Sequence, residues 1–377
     1  MVVIQVLQRA TFTKQALAQR LKDYELSADR GTIYDRNGVT LALSTDMDTV
    51  SANPYQIKKK MKVAKEIAPI LDESPRSIYK KLTKKTGFVY LGRKIAKDKT
   101  DRLKKLNIEG LWFSKESKRL YPGADLAAHI IGFVDIDNKG LSGIELYFDK
   151  LLKGKPGWVR QEQDQLGRPI PGGENKYIPA TNGHELVLTI DKEIQYKAQL
   201  ELNNAIEEYQ AKSGSVIVMD PRSGEIYALA SAPNFDLNKF SQVKDSAVFT
   251  DHAISDRYEP GSTMKVITGS AALEANIFTP ESSFILPGEI RVGGWPIHDS
   301  HERGTETFTF KSIITHSSNI GAATIAKKLG KWPLYSYIKK FGLLRPTGIE
   351  LPGESQGYVP NPKNWSASSL ATISFGQ

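Results

Sequence analysis

Apolar positions recur along this chain in blocks of different period, and the blocks predict its elements. Over residues 3–24, Val3, Val6, Leu7, Ala10, Leu17 and Leu21 fall at helical intervals and predict a helix. From Ala28 to Leu43 the pattern becomes strand, turn, strand around Asp35-Arg36-Asn37-Gly38, a hairpin signal. Residues 56–106 are rich in lysine and predict mostly helix, whereas residues 107–190 mix turns and glycines. Within them Gly167 to Gly183 is dense in Pro, Gly and Asn and reads as a connector. Asp191 then caps a predicted helix running to about Ala211, with Ile194, Ala198, Leu202, Ala205, Ile206 and Tyr209 along one side. Ser215–Met219 and Glu225–Ala230 are apolar strands joined by the turn Asp220-Pro221-Arg222-Ser223-Gly224. A last run, Val266 to Ala275, predicts a helix buried on most sides, because Lys265 and Glu274 are the only charges between Ser262 and Ala275. Helix, hairpin and buried helix together predict an α+β fold, an antiparallel sheet covered by helices. A change of texture near residues 185–190 places a domain boundary there.

Composition narrows the picture. The 377 residues are enough for two domains with cores of their own. With no cysteine there is no disulfide or thiol chemistry, which fits any redox compartment. The formal charge is +9, carried largely by lysines such as Lys58-Lys59-Lys60 and Lys80-Lys81; each cluster reads first as a solvated basic surface, with an anionic membrane surface or cell-wall polymer as the alternative. Zinc-finger and RNA-binding signatures are absent, which argues against nucleic acid. No run reaches the ~18 apolar residues of a membrane span. The N-terminal Val2-Val3-Ile4-Gln5-Val6-Leu7 lacks signal-peptide architecture.

Candidate chemistry centres on Ser262-Thr263-Met264-Lys265. A serine and a lysine three apart share one helix face. At the mouth of a buried helix the lysine is partly desolvated, which lowers an amine's pKa and makes it a usable base for a neighbouring hydroxyl. The tetrapeptide also occurs at Ser77 to Lys80, Ser241 to Lys244 and Ser336 to Lys339, so spacing alone does not select it. The copy at Ser262 is set apart by the Pro260-Gly261 break before it, the apolar helix behind it and a second motif downstream, Ser317-Ser318-Asn319. The bland alternative is a serine that only caps a core helix. His298, Asp299, His301 and Glu302 lie in a Gly/Pro-rich loop without metal-ligand spacing, so they read as a polar loop beside the cleft and no metal is expected. Trp295 and Phe308 read as core with a chance of lining that cleft. Trp112 and Phe113 read as core or partner surface.

The residues resemble a known family. Ser262-x-x-Lys265 followed by Ser317-x-Asn319 is similar to the motif set of penicillin-binding proteins and serine β-lactamases. Arg30-Gly31-Thr32-Ile33-Tyr34-Asp35-Arg36-Asn37-Gly38, Arg119-Leu120-Tyr121-Pro122, His129-Ile130-Ile131-Gly132 and Gly143-Ile144-Glu145 resemble the pedestal motifs of class B penicillin-binding proteins. Tyr258-Glu259-Pro260-Gly261 ahead of Ser262 is close to the septal, FtsI-type wording. The resemblance spans residue 28 to residue 377. It implies a membrane-proximal helix or linker at 1–27, a pedestal at 28–187 and a penicillin-binding transpeptidase domain at 188–377. It implies peptidoglycan D,D-transpeptidation, with Ser262 as nucleophile, Lys265 as base, Ser317 as proton relay and Asn319 orienting lysine and substrate. No cofactor is implied. Stem peptides and β-lactams are the expected ligands, division-complex membrane proteins the expected partners, and the outer side of the cytoplasmic membrane the expected location. Gly31, Gly38 and Gly143 read as turn formers, and Arg30, Arg119 and Glu145 as fold-stabilising ion pairs.

Two features depart from the family pattern. Its third motif, Lys-Thr/Ser-Gly on a later strand, does not arrive before Gln377, and Lys85-Thr86-Gly87 lies upstream, in the wrong order. The anchor that precedes the pedestal is absent as well. The expectation is a chain cut at both ends, with a transpeptidase parent and an impaired fragment. An elongation- or sporulation-type enzyme would share the chemistry, the leaning towards the septal type coming from a compact pedestal. A class D β-lactamase would lack the pedestal, and a bifunctional class A protein would need a glycosyltransferase domain. A non-catalytic division scaffold is the reading from another class.

Overall fold

The computed structural model describes residues 21–162, residue 170 and residues 175–377. By internal packing the chain falls into two units, one ending at Ala253 and the other Ile254–Gln377.

Among the described residues the first unit contains three sheets. Strand β1 (Leu21–Leu26) is the first correction to the sequence reading, because residues 21–24 were expected to end a helix. The rest of that expected helix lies outside the described residues. Leu21 pairs with Glu162 and Leu26 with Gly157, so the segment takes its conformation from a partner strand distant in sequence. The main sheet starts with β2 (Ile33–Tyr34) and the long β3 (Thr40–Ala52), the hairpin expected around Asp35–Gly38. Asp35 is buried and holds the turn: its Oδ1 accepts from the N–H of Asn37 and of Val39, both at 2.8 Å. Helices α1 (Lys60–Leu71) and α2 (Pro75–Leu82), strand β4 (Val89–Ile95) and helix α3 (Lys97–Lys105) follow, the lysine-rich segment expected to be mostly helical. Ser74 caps α2, with Pro75 in its first turn, where a missing N–H costs nothing. Strand β5 (Leu111–Leu120) pairs with β3 from Leu120↔Leu43 to Leu111↔Ala52. The core under this sheet holds Val50, Ile67, Ile78, Leu82, Leu91 and Leu103, with Phe113 packed on it. Trp112, on the opposite face of β5, is exposed.

Strands β6 (Gly157–Glu162) and β7 (Asn175–Ile178) complete the sheet with β1, so part of the expected connector is strand and part lies outside the described residues. The two-residue β8 (Leu186–Val187) runs parallel to β2. A buried ion cluster sits behind the main sheet. Glu145 is fully buried and accepts from Arg30 and, at 2.6 Å, from Arg119 Nε, while Arg30 also donates to Asp149 at 2.7 Å. Two guanidiniums against two carboxylates leave no net charge, the condition under which such burial is tolerated. Burial and the neighbouring Glu145 push the Tyr121 hydroxyl well above its ordinary pKa. Gly31 is not a turn former: a Cβ there would lie 1.8 Å from the carbonyl oxygen of His184, so close backbone approach is what requires glycine.

Helix α4 (Lys192–Tyr209) is capped by Asp191, as expected, and packs on the antiparallel pair β9 (Gly214–Met219) and β10 (Ile226–Ala232). Its buried face differs from the expected one. Ala198 and Leu202 are inside, but Ile194 and Tyr209 are exposed and Gln195 and Gln199 are buried. Gln195 accepts from Leu229 N–H at 2.8 Å and donates to Leu229 O at 2.9 Å, so its amide acts as an extra strand partner for β10.

In the second unit, helix α5 (Met264–Glu274) is followed by two antiparallel pairs, β11 (Ser283–Leu286) with β14 (Glu306–Thr309), and β12 (Glu289–Val292) with β13 (Trp295–His298). Helices α6 (Phe310–Thr315), α7 (Asn319–Leu329), α8 (Lys331–Lys340) and α9 (Ala367–Ile373) complete it. Met264, Ile267, Ala271, Ala326, Leu334 and Trp365 bind α5, α7 and α8 into one core. Among the described residues no helix is long and apolar enough to cross a membrane.

Candidate active site

The nucleophile candidate sits on a single 3-10 turn, Gly261–Thr263, immediately ahead of α5 rather than inside it. That turn is held from behind. Gly261 N–H donates to Gly376 O at 3.1 Å, and Thr268 Oγ1 donates to Ser374 O at 2.7 Å. Ser262 is exposed, while Lys265, one turn on, is 2 % exposed. Val266 and Leu273 are exposed, so α5 keeps one open face while the rest of it is buried.

Lys265 Nζ lies 3.1 Å from Ser262 Oγ, 3.0 Å from Ser317 Oγ, 2.5 Å from Ser317 O and 2.7 Å from Asn319 Oδ1. Ser317 Oγ in turn donates to Ser262 Oγ at 2.9 Å. All four residues singled out in the sequence therefore meet around one amine. An ammonium has three hydrogens for these four acceptors. Loss of one proton leaves two hydrogens and a lone pair that can receive the Ser262 hydroxyl proton. Desolvation lowers the lysine's pKa from its ordinary value, opposed in part by the charge of Asp299.

Ser317 adopts a left-handed backbone, φ 54°, uncommon for a residue with a side chain. This turn aims both its carbonyl and its hydroxyl at the amine. Ser318 is buried and caps α7, accepting from Gly321 N–H at 2.9 Å. Asn319 opens α7, and its amide orientation is fixed by donation from Nδ2 to His298 O at 2.9 Å.

The loop of His298, Asp299, His301 and Glu302 plays a part the sequence reading did not assign. Asp299 accepts from Asn319 N–H at 2.6 Å, from Ile320 N–H at 3.1 Å and from Ser318 Oγ at 2.9 Å. Among the described residues no group of His, Asp or Glu side chains converges to hold a metal ion. Trp295 corrects the core reading: it is 72 % exposed and lines, with His298, Asn319 and Ser368, a cavity of about 390 Å³. Phe308 is core. Thr268, Ser374 and Gly376 were also missed, since their contacts are to backbone and leave no motif.

Residues 25–188 match the penicillin-binding protein dimerisation domain, and residues 214–377 match the penicillin binding protein transpeptidase domain. The chain belongs to the class B penicillin-binding proteins. It is 35% identical to stage V sporulation protein D of Bacillus subtilis, over 93% of this chain and 55% of that protein. It is 32% identical to the peptidoglycan D,D-transpeptidase FtsI of Escherichia coli, over 99% of this chain and 64% of that protein. The chain thus spans 55% to 64% of the length of these two relatives. A peptidoglycan synthetase from Bifidobacterium adolescentis superposes with a TM-score of 0.72 at 29% identity, covering 95% of this chain and 70% of that one.

Proposed function

We propose that the protein is a serine D,D-transpeptidase that cross-links peptidoglycan stem peptides through an acyl-enzyme. The observation that carries this reading is the convergence of Ser262, Ser317 and Asn319 on the buried amine of Lys265. The neutral lysine removes the Ser262 proton as Oγ bonds to the carbonyl carbon between the terminal D-alanines. The C–N bond then breaks, and the proton passes from Lys265 through Ser317 Oγ to the departing amine. Backbone N–H groups of the first turn favour the oxyanion formed on the way. An amine of a second stem attacks the ester, gives up its proton by the same route and regenerates Ser262. β-Lactams enter at the acylation step and stop there.

Residues 28–187 serve as the pedestal and 188–377 as the transpeptidase domain. The protein acts on the outer side of the cytoplasmic membrane, at the division septum, with division-complex membrane proteins as partners. Likeness to FtsI supports the septal assignment, while likeness to a sporulation protein supports the alternative of a sporulation-type enzyme. Depletion producing filaments marks division, and a defect confined to spores marks the alternative.

Peptide mapping after treatment of the protein, as the cell makes it, with a fluorescent penicillin tests the chemistry. The adduct is expected on Ser262 and is lost in Ser262→Ala. An adduct elsewhere, or none, leaves the scaffold reading in its place.

A further inference from the structure

We propose that Asp299 is a positioning residue for Lys265: its carboxylate seats the start of α7 against the amine and acts on the amine's charge through space. This rests on the reading of Ser262 and Lys265 as an acylation centre. The N-terminus of a helix leaves its first N–H groups without intrahelical partners. Here Asp299 takes those of Asn319 and Ile320, and it also takes the hydroxyl of Ser318, which caps Gly321. The residue before it, His298, holds the Asn319 amide by its carbonyl. The end of β13 therefore fixes Asn319 by backbone and side chain together, and so fixes the Oδ1 that faces Lys265 at 2.7 Å.

The carboxylate is not free to do otherwise. Arg303 Nε donates to Asp299 Oδ2 at 2.9 Å, and Arg303 is itself held by Leu286 O at 2.9 Å and lies over the Phe308 ring at 4.8 Å. Burial alone would raise the carboxyl's pKa, but the N–H of Ile320, Arg303, Ser318 and the N–H of Asn319 outweigh it and keep the group ionised. The elements packed on α5 carry Lys311 on α6, His316 after it, Lys327 and Lys328 on α7, and Lys331, Lys339 and Lys340 on α8. The negative charge of Asp299 favours the ammonium of Lys265, against desolvation. Asp299 thus opposes desolvation and keeps the amine from losing its proton too early.

The sign of the effect is testable. A lysine base is active when neutral, so acylation falls as pH drops through its pKa. Asp299→Asn removes the negative charge and shifts the lysine midpoint down. Arg303→Met strips the carboxylate of its counter-ion and shifts the midpoint up. Titration by NMR of ε-carbon-labelled lysine, with the Lys265 signal identified by its loss in Lys265→Arg, reads the midpoint directly. The acid limb of penicillin acylation should move the same way in each variant. Midpoints unmoved in both variants while acylation slows would overturn the proposal and leave Asp299 as a structural cap. If Asp299→Asn does not fold, Arg303→Met alone decides by the direction of its shift. A protein that titrates as expected but takes no adduct on Ser262 refutes the acylation reading and not this one.

Discussion

Ser317 concentrates the conflict between stability and chemistry in one backbone angle. A left-handed φ costs a residue with a Cβ roughly 1–2 kcal/mol. The cost persists because this conformation turns both oxygens of Ser317 towards Lys265. Ala and Gly at this position both delete the hydroxyl, so both are expected to slow acylation by about 10²-fold or more. They differ in strain. Ser317→Gly should be more stable than Ser317→Ala by about 1 kcal/mol, the reverse of the usual order for these residues. Urea denaturation of the two variants measures the difference, and equal stabilities would show that the angle relaxes without cost.

At the scale of elements, the nucleophile's turn depends on a second turn that follows α9. Gly376 has φ 87°, and a Cβ there would come 2.2 Å from Gly261 O and 2.5 Å from Gly261 N. Gly376→Ala is therefore expected to push the Ser262 turn away from Lys265, losing about 2 kcal/mol or more and most of the acylation rate. Gly353→Ala is the control, because Gly353 has a similar φ of 92° with nothing within 4 Å of its Cβ. It should cost about 1 kcal/mol of strain and leave acylation unchanged. Equal acylation by the two variants would rule out the coupling of the turns. This dependence was invisible in the sequence because it runs through carbonyl oxygens. The same physics separates what was legible from what was not. The Asp35–Gly38 hairpin, the Asp191 cap and the pairing of Ser262 with Lys265 are set by residues within a few positions of one another. Strand β1 and the buried face of α4 are set from afar, by Gly157–Glu162 and by the backbone of Leu229. Gln195 is polar and so was left off the inward face, yet it is inside because it finds a backbone partner there. Asp299 escaped assignment for a related reason: its partners are the N–H groups of another element.

For the whole molecule, the two packed units have hydrophobic cores of their own, and each can be perturbed by itself. The first is pinned by the cluster of Arg30, Glu145, Arg119 and Asp149. Glu145→Gln leaves two buried guanidiniums facing one carboxylate, a loss of about 3–5 kcal/mol. The second unit contains every residue that meets at Lys265. A β-lactam ester on Ser262 forms only in the folded unit and makes its non-covalent contacts only there, which favours the folded over the unfolded form of that unit. Calorimetry should therefore resolve two transitions. Glu145→Gln is expected to lower one of them, by on the order of 10 °C, and to leave the other in place. Penicillin is expected to raise the other and leave the first in place. A single transition moved by both treatments would mean that the units unfold as one, and that the acylation centre draws its stability from the ion cluster of the first unit as much as from its own core.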